Sequence, residues 1–241
     1  MKTAEKVRTK IDKFEKGYVF TYSDLDISVS EGDALKKYLN RLVESGKIAR
    51  LSKGRFYKPK KGITTNLKPN EYEVVKDLLL AGNKPVGYIT GYSVFNSFKL
   101  TTQVPNVIQI GTNFDKKSIR RNIYTVKFVR QWNKITRTNI PLLQLLDCIR
   151  FIKSIPDTTI ESALKQISVL IDELTDSEKK QCIQLAINYP PSTRALTGAV
   201  FELLGYTELS GKLLKTLKST SWYAFNIKQE QLPNKLKWKI K

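Results

Sequence analysis

The stretch at positions 17–61, GYVFTYSDLDISVSEGDALKKYLNRLVESGKIARLSKGRFYKPKK, constrains the fold more than any other part of the chain. Tyr18, Val19 and Phe20 form a short extended segment, and positions 22–25 begin a short helix. Ser28, Val29 and Ser30 make a turn. Ser30 and Asp33 have the spacing of a capping box, so the next helix is predicted over about 31–45, ended by Gly46. At 100° per residue, Leu35, Tyr38, Leu39 and Leu42 share one side of that helix. Ser30, Asp33, Lys37, Asn40 and Glu44 lie opposite, flanked by Lys36 and Arg41.

A hairpin follows. Ile48 and Leu51 face inward, Ser52-Lys53-Gly54 makes a tight turn with Gly54 at positive φ, and Arg55, Phe56 and Tyr57 return. Positions 47–61 hold seven basic residues and no acid. Short helix, turn, amphipathic helix and basic hairpin, in that order, read as a winged helix-turn-helix. In such a module the helix enters the major groove and the hairpin lies on the phosphate backbone.

The charge of the whole chain agrees with a polyanion partner. The formal net charge is +20, and it is concentrated in islands. Positions 1–63 carry 16 basic and 8 acidic side chains; 116–138 carry 8 and none; 212–241 carry 8 and 1. Three islands of one sign point to a polyanion more than to a solvated surface. Lys116, Lys117, Arg120 and Arg121 form a basic loop. It positions DNA phosphates, binds another polyanion such as RNA, or is simply solvated.

Other classes are disfavoured. The chain has no histidine, which removes the commonest general base and metal ligand. Cys148 and Cys182 sit in apolar helical patterns and read as buried thiols, too few for a structural zinc site. Neither a metal nor another cofactor is expected. Pro156-Asp157 with Glu178-Lys179-Lys180 matches a nuclease pattern in letters, but both halves fall at helix starts, where such residues cap. No catalytic residue is assigned. Nothing resembles a membrane span or a signal peptide, so the chain is expected in the cytoplasm.

Beyond the hairpin, positions 64–69 read as a linker. A helix follows from Asn70 to Leu80, then strands at 107–110 and 124–129 in one small sheet. From Ile140 the pattern is helical, with capping boxes at Thr158/Glu161 and Thr175/Glu178 and a helix capped by Ser192. Trp132 and Trp222 read as packing residues. The tail LPNKLKWKIK reads as partly disordered, with Trp238 exposed. The expected architecture is α+β and mainly helical. It comprises a winged helix over 1–63, a linker over 64–69, a larger domain with a small β-sheet over 70–227 and a basic tail over 228–241.

Four segments carry a resemblance: ALKKYLNRLVESGKIARLSKGRFY at 34–57, GYITGYSVFNSFKLTTQVPNVIQIGT at 87–112, LLQLLDCIRFIKSIPDT at 143–159 and YPPSTRALTGAVFELLG at 189–205. Their order resembles AbiEi-type antitoxins of bacterial type IV toxin–antitoxin systems. The resemblance implies an autorepressor that binds inverted repeats in its own promoter; a dimer on DNA is expected because a single such module reads too few bases. It also implies an antitoxin that counters a nucleotidyltransferase-like toxin without a stable complex. On matching positions it implies DNA contacts by Lys36, Lys37, Asn40 and Arg41 of the helix and by Arg50, Lys53 and Arg55 of the hairpin, with Ser30 at the helix start. A transcription regulator without a toxin, and an RNA-binding protein or nucleic-acid enzyme, are the alternatives.

Overall fold

The computed structural model describes residues 3–28, 31–62, 66–103 and 106–241. It is an α+β protein that divides into two compact units. The first holds residues 1–77 and 120–124, and the second residues 78–119 and 125–241. The first unit thus runs past the boundary expected at 63. Part of the expected linker is ordered there: Asn66–Leu67 pairs antiparallel with Lys60–Lys61, and Pro69 is buried. Positions 64 and 65 lie outside the described residues.

In the first unit, α1 (Thr3–Lys13) buries Val7 and Ile11, one turn apart on the same face. The strand β1 (Val19–Thr21) leads into a 3-10 turn at Ser23–Leu25. Asp26 closes that turn in the left-handed region, at φ 48. The second helix, α2 (Gly32–Glu44), buries Leu35, Leu39 and Leu42, as the 3.6-residue pattern requires. Strands β2 (Ala49–Ser52) and β3 (Arg55–Tyr57) form the hairpin, and the antiparallel sheet has the order β1-β3-β2. Gly54 takes φ 72 at the turn, where a residue with a Cβ would be strained. Phe20 and Phe56, both fully buried, join sheet to helices in one core with Val7, Leu25, Leu39 and Ile48. Each such side chain contributes about 1.5–3 kcal/mol on burial.

Residues 71–77 open α3 (Glu71–Leu79) and pack on this sheet. Glu73 accepts a hydrogen bond from the Val19 backbone at 2.7 Å. Asp77 holds two arginines: Arg55 Nη2 at 2.6 Å and Arg121 Nη2 at 2.8 Å, while Arg121 Nη1 reaches both Asp77 and the Val74 carbonyl.

The second unit combines a small sheet with a helical bundle. The strand at Gly87–Thr90 pairs antiparallel with Val107–Thr112, which pairs in parallel with Tyr124–Arg130 from Thr125 onward. The expected pairing of the last two strands is thus present. Helix α4 (Tyr92–Ser97) follows the first strand, and α5 (Ile140–Arg150) buries residues on nearly every side. Against it pack α6 (Ile160–Asp172), α7 (Asp176–Ala186) and α8 (Pro191–Leu203), and α9 (Thr207–Leu214) packs on α7 and α8.

The caps correct two expectations. Thr159, not Thr158, caps α6, accepting from the Ser162 backbone at 3.1 Å, because the chain is still turning at Asp157 (φ 51). The helix α8 opens at Pro191 with Pro190 at the N-cap position, so Ser192, expected to cap it, lies inside its first turn. The Thr175/Glu178 box on α7 is complete.

The C-terminal segment is the largest correction. Positions 232–241, within the expected basic tail over 228–241, were expected to be partly disordered, yet Leu232, Trp238 and Ile240 are fully buried. Trp238 lies on Gly198 of α8, where any Cβ would fall 2.1 Å from the indole. Its Nε1 donates to Glu202 at 2.6 Å, and Asn234 and Lys237 also bind Glu202. Basic composition hid an anchor: Leu232, Trp238 and Ile240 go inward, while of the lysines between them Lys237 is exposed and Lys235 and Lys239 are half-buried. No strand forms at 222–227; Tyr223 makes one bridge to Ile240.

A polar cluster is sealed inside this unit. Asp147 of α5 is fully buried and accepts from Tyr88 at 2.7 Å, Thr90 at 2.8 Å and Tyr189 at 3.1 Å. Gln131 donates to both tyrosine hydroxyls at 2.8 Å. Burial raises the Asp147 carboxyl above the usual aspartate range, against the opposing effects of the hydroxyl donors and Arg150. A carboxyl raised on folding favours the fold most below its unfolded pKa of about 3.9, and that contribution declines as pH rises through the folded value. Asp147→Asn should therefore gain stability relative to the parent as pH rises from about 4. All three tryptophans lie in this unit, so urea unfolding followed by tryptophan fluorescence reads it directly. A difference between the two proteins that stays constant with pH would remove Asp147 as the titrating group.

Candidate nucleic-acid interface

The first unit presents the expected basic face. The same turn spacing that buries Leu35, Leu39 and Leu42 of α2 leaves Lys36, Lys37, Asn40 and Arg41 exposed. Lys36 pairs with Asp33 at 3.1 Å, an exposed contact one turn apart. Arg41 lies over the Tyr38 ring. Asn40 joins helix to hairpin: its carbonyl oxygen accepts from Arg50 Nη2 at 2.6 Å, and Arg50 lies over Phe56. Lys53 is exposed beside Gly54 at the hairpin tip. Helix face and hairpin thus form one continuous polar surface backed by the Phe20–Phe56 core. Ser30, expected at the start of this surface, lies outside the described residues, as does Val29.

Two of the expected cations are used internally. Arg55 turns onto Asp77. Arg121 is buried at 3% exposure and is bound to the same carboxylate, which corrects its assignment to an open basic loop. The physical reason is strand alternation: in Ile119–Arg121, Arg120 points out and Arg121 in. Burial pushes the Asp77 carboxyl up, but hydrogen bonds and charge from Arg121 and Arg55 outweigh it and hold the carboxyl below its usual range.

In the second unit, Lys116 and Lys117 are exposed, and Lys116 lies over the Phe128 ring. Trp132 and Trp222 are 48% and 47% exposed, which overturns their reading as packing residues. Each faces a cation: Arg150 stands 4.9 Å from Trp132, and Lys239 stands 5.3 Å from Trp222. The sequence did carry a signal for the first, the basic-aromatic run Arg150-Phe151-Ile152-Lys153 at the end of α5. Nearby in the chain, Phe114 is 64% exposed and borders a cleft of about 480 Å³ that Lys84, Lys134 and Arg137 also line.

The letters of the nuclease pattern are taken up structurally. Glu178 closes the Thr175 capping box, and Asp157 accepts from Gln103 at 2.5 Å. Lys179 is buried and donates to the Asp172 and Leu174 carbonyls at the end of α6. Cys148 and Cys182 are both buried and unpaired by disulfide, and burial pushes the Cys182 thiol up to about 12. Among the described residues, no helix is long and apolar enough to cross a membrane.

The fold is similar to that of the RV2827C protein from Mycobacterium tuberculosis. That crystal structure matches with a TM-score of 0.62 over 99% of this chain and 90% of the other, at 12% identity. No curated protein matches the sequence. Residues 6–183 match DUF6088, which takes in the whole basic face and most of the second unit, and the chain belongs to this family of unknown function.

Proposed function

We propose that the first unit is a winged helix-turn-helix that binds duplex DNA site-specifically, and that the protein acts as a repressor in the cytoplasm. One observation carries this reading. The exposed Lys36, Lys37, Asn40 and Arg41 of α2 are continuous with Arg50 and Lys53 of the hairpin through the Asn40–Arg50 hydrogen bond. A helix face for base edges joined to a basic hairpin for phosphate is the arrangement such readers use. The resemblance to AbiEi-type antitoxins extends the reading: two protomers on an inverted repeat in the protein's own promoter, and a nucleotidyltransferase-like toxin as functional partner.

Footprinting of that promoter should give two half-sites centred about 34–36 Å apart, or a multiple of that distance. Lys37→Ala and Asn40→Ala should each weaken operator binding by about 1–3 kcal/mol and scrambled-DNA binding far less. Lys53→Ala should weaken both alike and lower the salt slope by about 1. Equal protection of operator and scrambled DNA would sink the reading. For the toxin, growth rescue on co-expression with a nucleotidyltransferase-like toxin is the test; a toxin that kills equally with and without this protein removes that half.

A further inference from the structure

The second unit carries a track of alternating cations and aromatic rings that the duplex-binding face does not use. Phe128 and Arg130 lie two apart on one strand and so share a face. The Arg130 carbonyl accepts from Arg150 Nη1 at 2.9 Å, and the Arg150 guanidinium stands 4.9 Å from both Trp132 and Phe151. Two residues on, Lys153 lies 5.1 Å over Phe225. The Phe225 backbone donates to Lys241 at 2.7 Å, which leads to Lys239 over Trp222 at 5.3 Å. These links run partly through backbone atoms and along the chain, and Phe225 itself is buried at 5% exposure, so the open rings of the track are Trp132 and Trp222, each with its own cation. Asp115 reaches Arg130 at 3.8 Å, the outer limit of an ion pair.

From this track we infer that the second unit binds single-stranded nucleic acid, with Trp132 and Trp222 as base-stacking platforms and Arg150, Lys153 and Lys239 as phosphate partners. The chemistry selects the ligand. A duplex keeps its bases stacked on one another and offers no π-face to an indole, whereas a single strand offers one at every nucleotide. Half of each indole stays open to water although other aromatic side chains of this unit, Trp238 among them, are buried completely. A cation beside each ring supplies the charge that a backbone passing over it needs. The inference is independent of the repressor reading, because none of these residues belongs to the first unit.

The test uses the full chain and labelled oligo(U) and oligo(dT) of about 16 nucleotides, the upper end of single-strand site sizes. Trp132→Ala and Trp222→Ala should each weaken binding by about 5- to 100-fold, in line with one stacked base. Both are surface changes, and unchanged circular dichroism confirms that the fold survives. The oligonucleotide should also quench tryptophan fluorescence in the parent and not in the double variant, where only buried Trp238 remains. A Lys36→Glu/Lys37→Glu variant should lose duplex binding and keep single-strand binding. Preference for oligo(U) or for oligo(dT) assigns the track to RNA or to DNA, and either supports it. Single-strand affinity unchanged in the double tryptophan variant, or lost with Lys36 and Lys37 instead, would overturn the inference and leave the repressor reading standing.

Discussion

Trp238→Ala should destabilise the second unit by about 3–5 kcal/mol, the usual cost of emptying a large buried aromatic site. For a chain of this size that corresponds to a fall in Tm of roughly 10–15 °C. The site cannot collapse to fill the space, because the indole rests on the backbone of α8 at Gly198. The loss is not purely apolar. Glu202 is held below its usual carboxylate range: burial pushes it up, and Lys237, Trp238 and Asn234 together outweigh that. Removing the indole N–H takes one of these partners away. Trp238→Phe should cost far less, since most of the ring volume returns and Asn234 still reaches Glu202 at 3.0 Å. Gly198→Leu should match Trp238→Ala in severity, by driving the same indole out. Thermal unfolding followed by circular dichroism measures all three. A Trp238→Ala protein within about 1 kcal/mol of the parent would mean that the segment is not anchored here.

Asp77→Ala should be comparably severe in the first unit, and for a different reason. It leaves the Arg121 guanidinium, whose side chain is 4% exposed, with the Val74 carbonyl and no counter-charge. Breaking a buried pair by removing one partner costs about 3–5 kcal/mol. Replacing both partners by apolar residues of similar volume, as in Asp77→Leu/Arg121→Met, should restore most of the loss, because the fully buried charge is then gone and the half-exposed Arg55 can turn to water. The same carboxylate predicts an acid transition. Its folded pKa is depressed, so its contribution is present above the ordinary aspartate value of about 3.9 and is lost as pH falls through the lower folded value. Chemical unfolding of the single and double variants, at neutral and at acid pH, tests both statements. A double variant as unstable as Asp77→Ala alone would contradict the charge argument.

The parts of this fold that were legible in the sequence are those set by local rules. The stripe of Leu35, Leu39 and Leu42, the Gly54 turn and the Thr175/Glu178 box each depend on residues within a few positions of one another. The pairing of 107–110 with 124–129 was legible because both runs are rich in β-branched and aromatic residues. What could not be read depends on partners far along the chain. Arg121 looks like any loop cation until Asp77, from a helix more than forty positions earlier, is seen to claim it. Arg55 reads as a phosphate contact for the same reason. Trp238 stands among lysines, and only the cavity over Gly198 says that it is core. Trp132 and Trp222 fail in the opposite sense, because a tryptophan in a sequence is expected to be buried. For the candidate interface, the helix and hairpin residues were read as a set, whereas Arg150 and Lys153 drew no reading, because cations near a helix C-terminus are common there for the dipole alone.

The burial of Trp238 and Ile240 also orders events during synthesis. Domains form as units, the earlier-made part first, as the chain leaves the ribosome. The first unit ends at residue 124, so its core can close while later codons are still being read. The second unit cannot close until Ile240 has cleared the exit tunnel, because α8 until then has an open groove along Gly198 where the indole belongs. A nascent chain stalled before that point would carry a closed first unit tethered to an unfinished bundle. Any activity of the second unit therefore appears only after the first unit is already made.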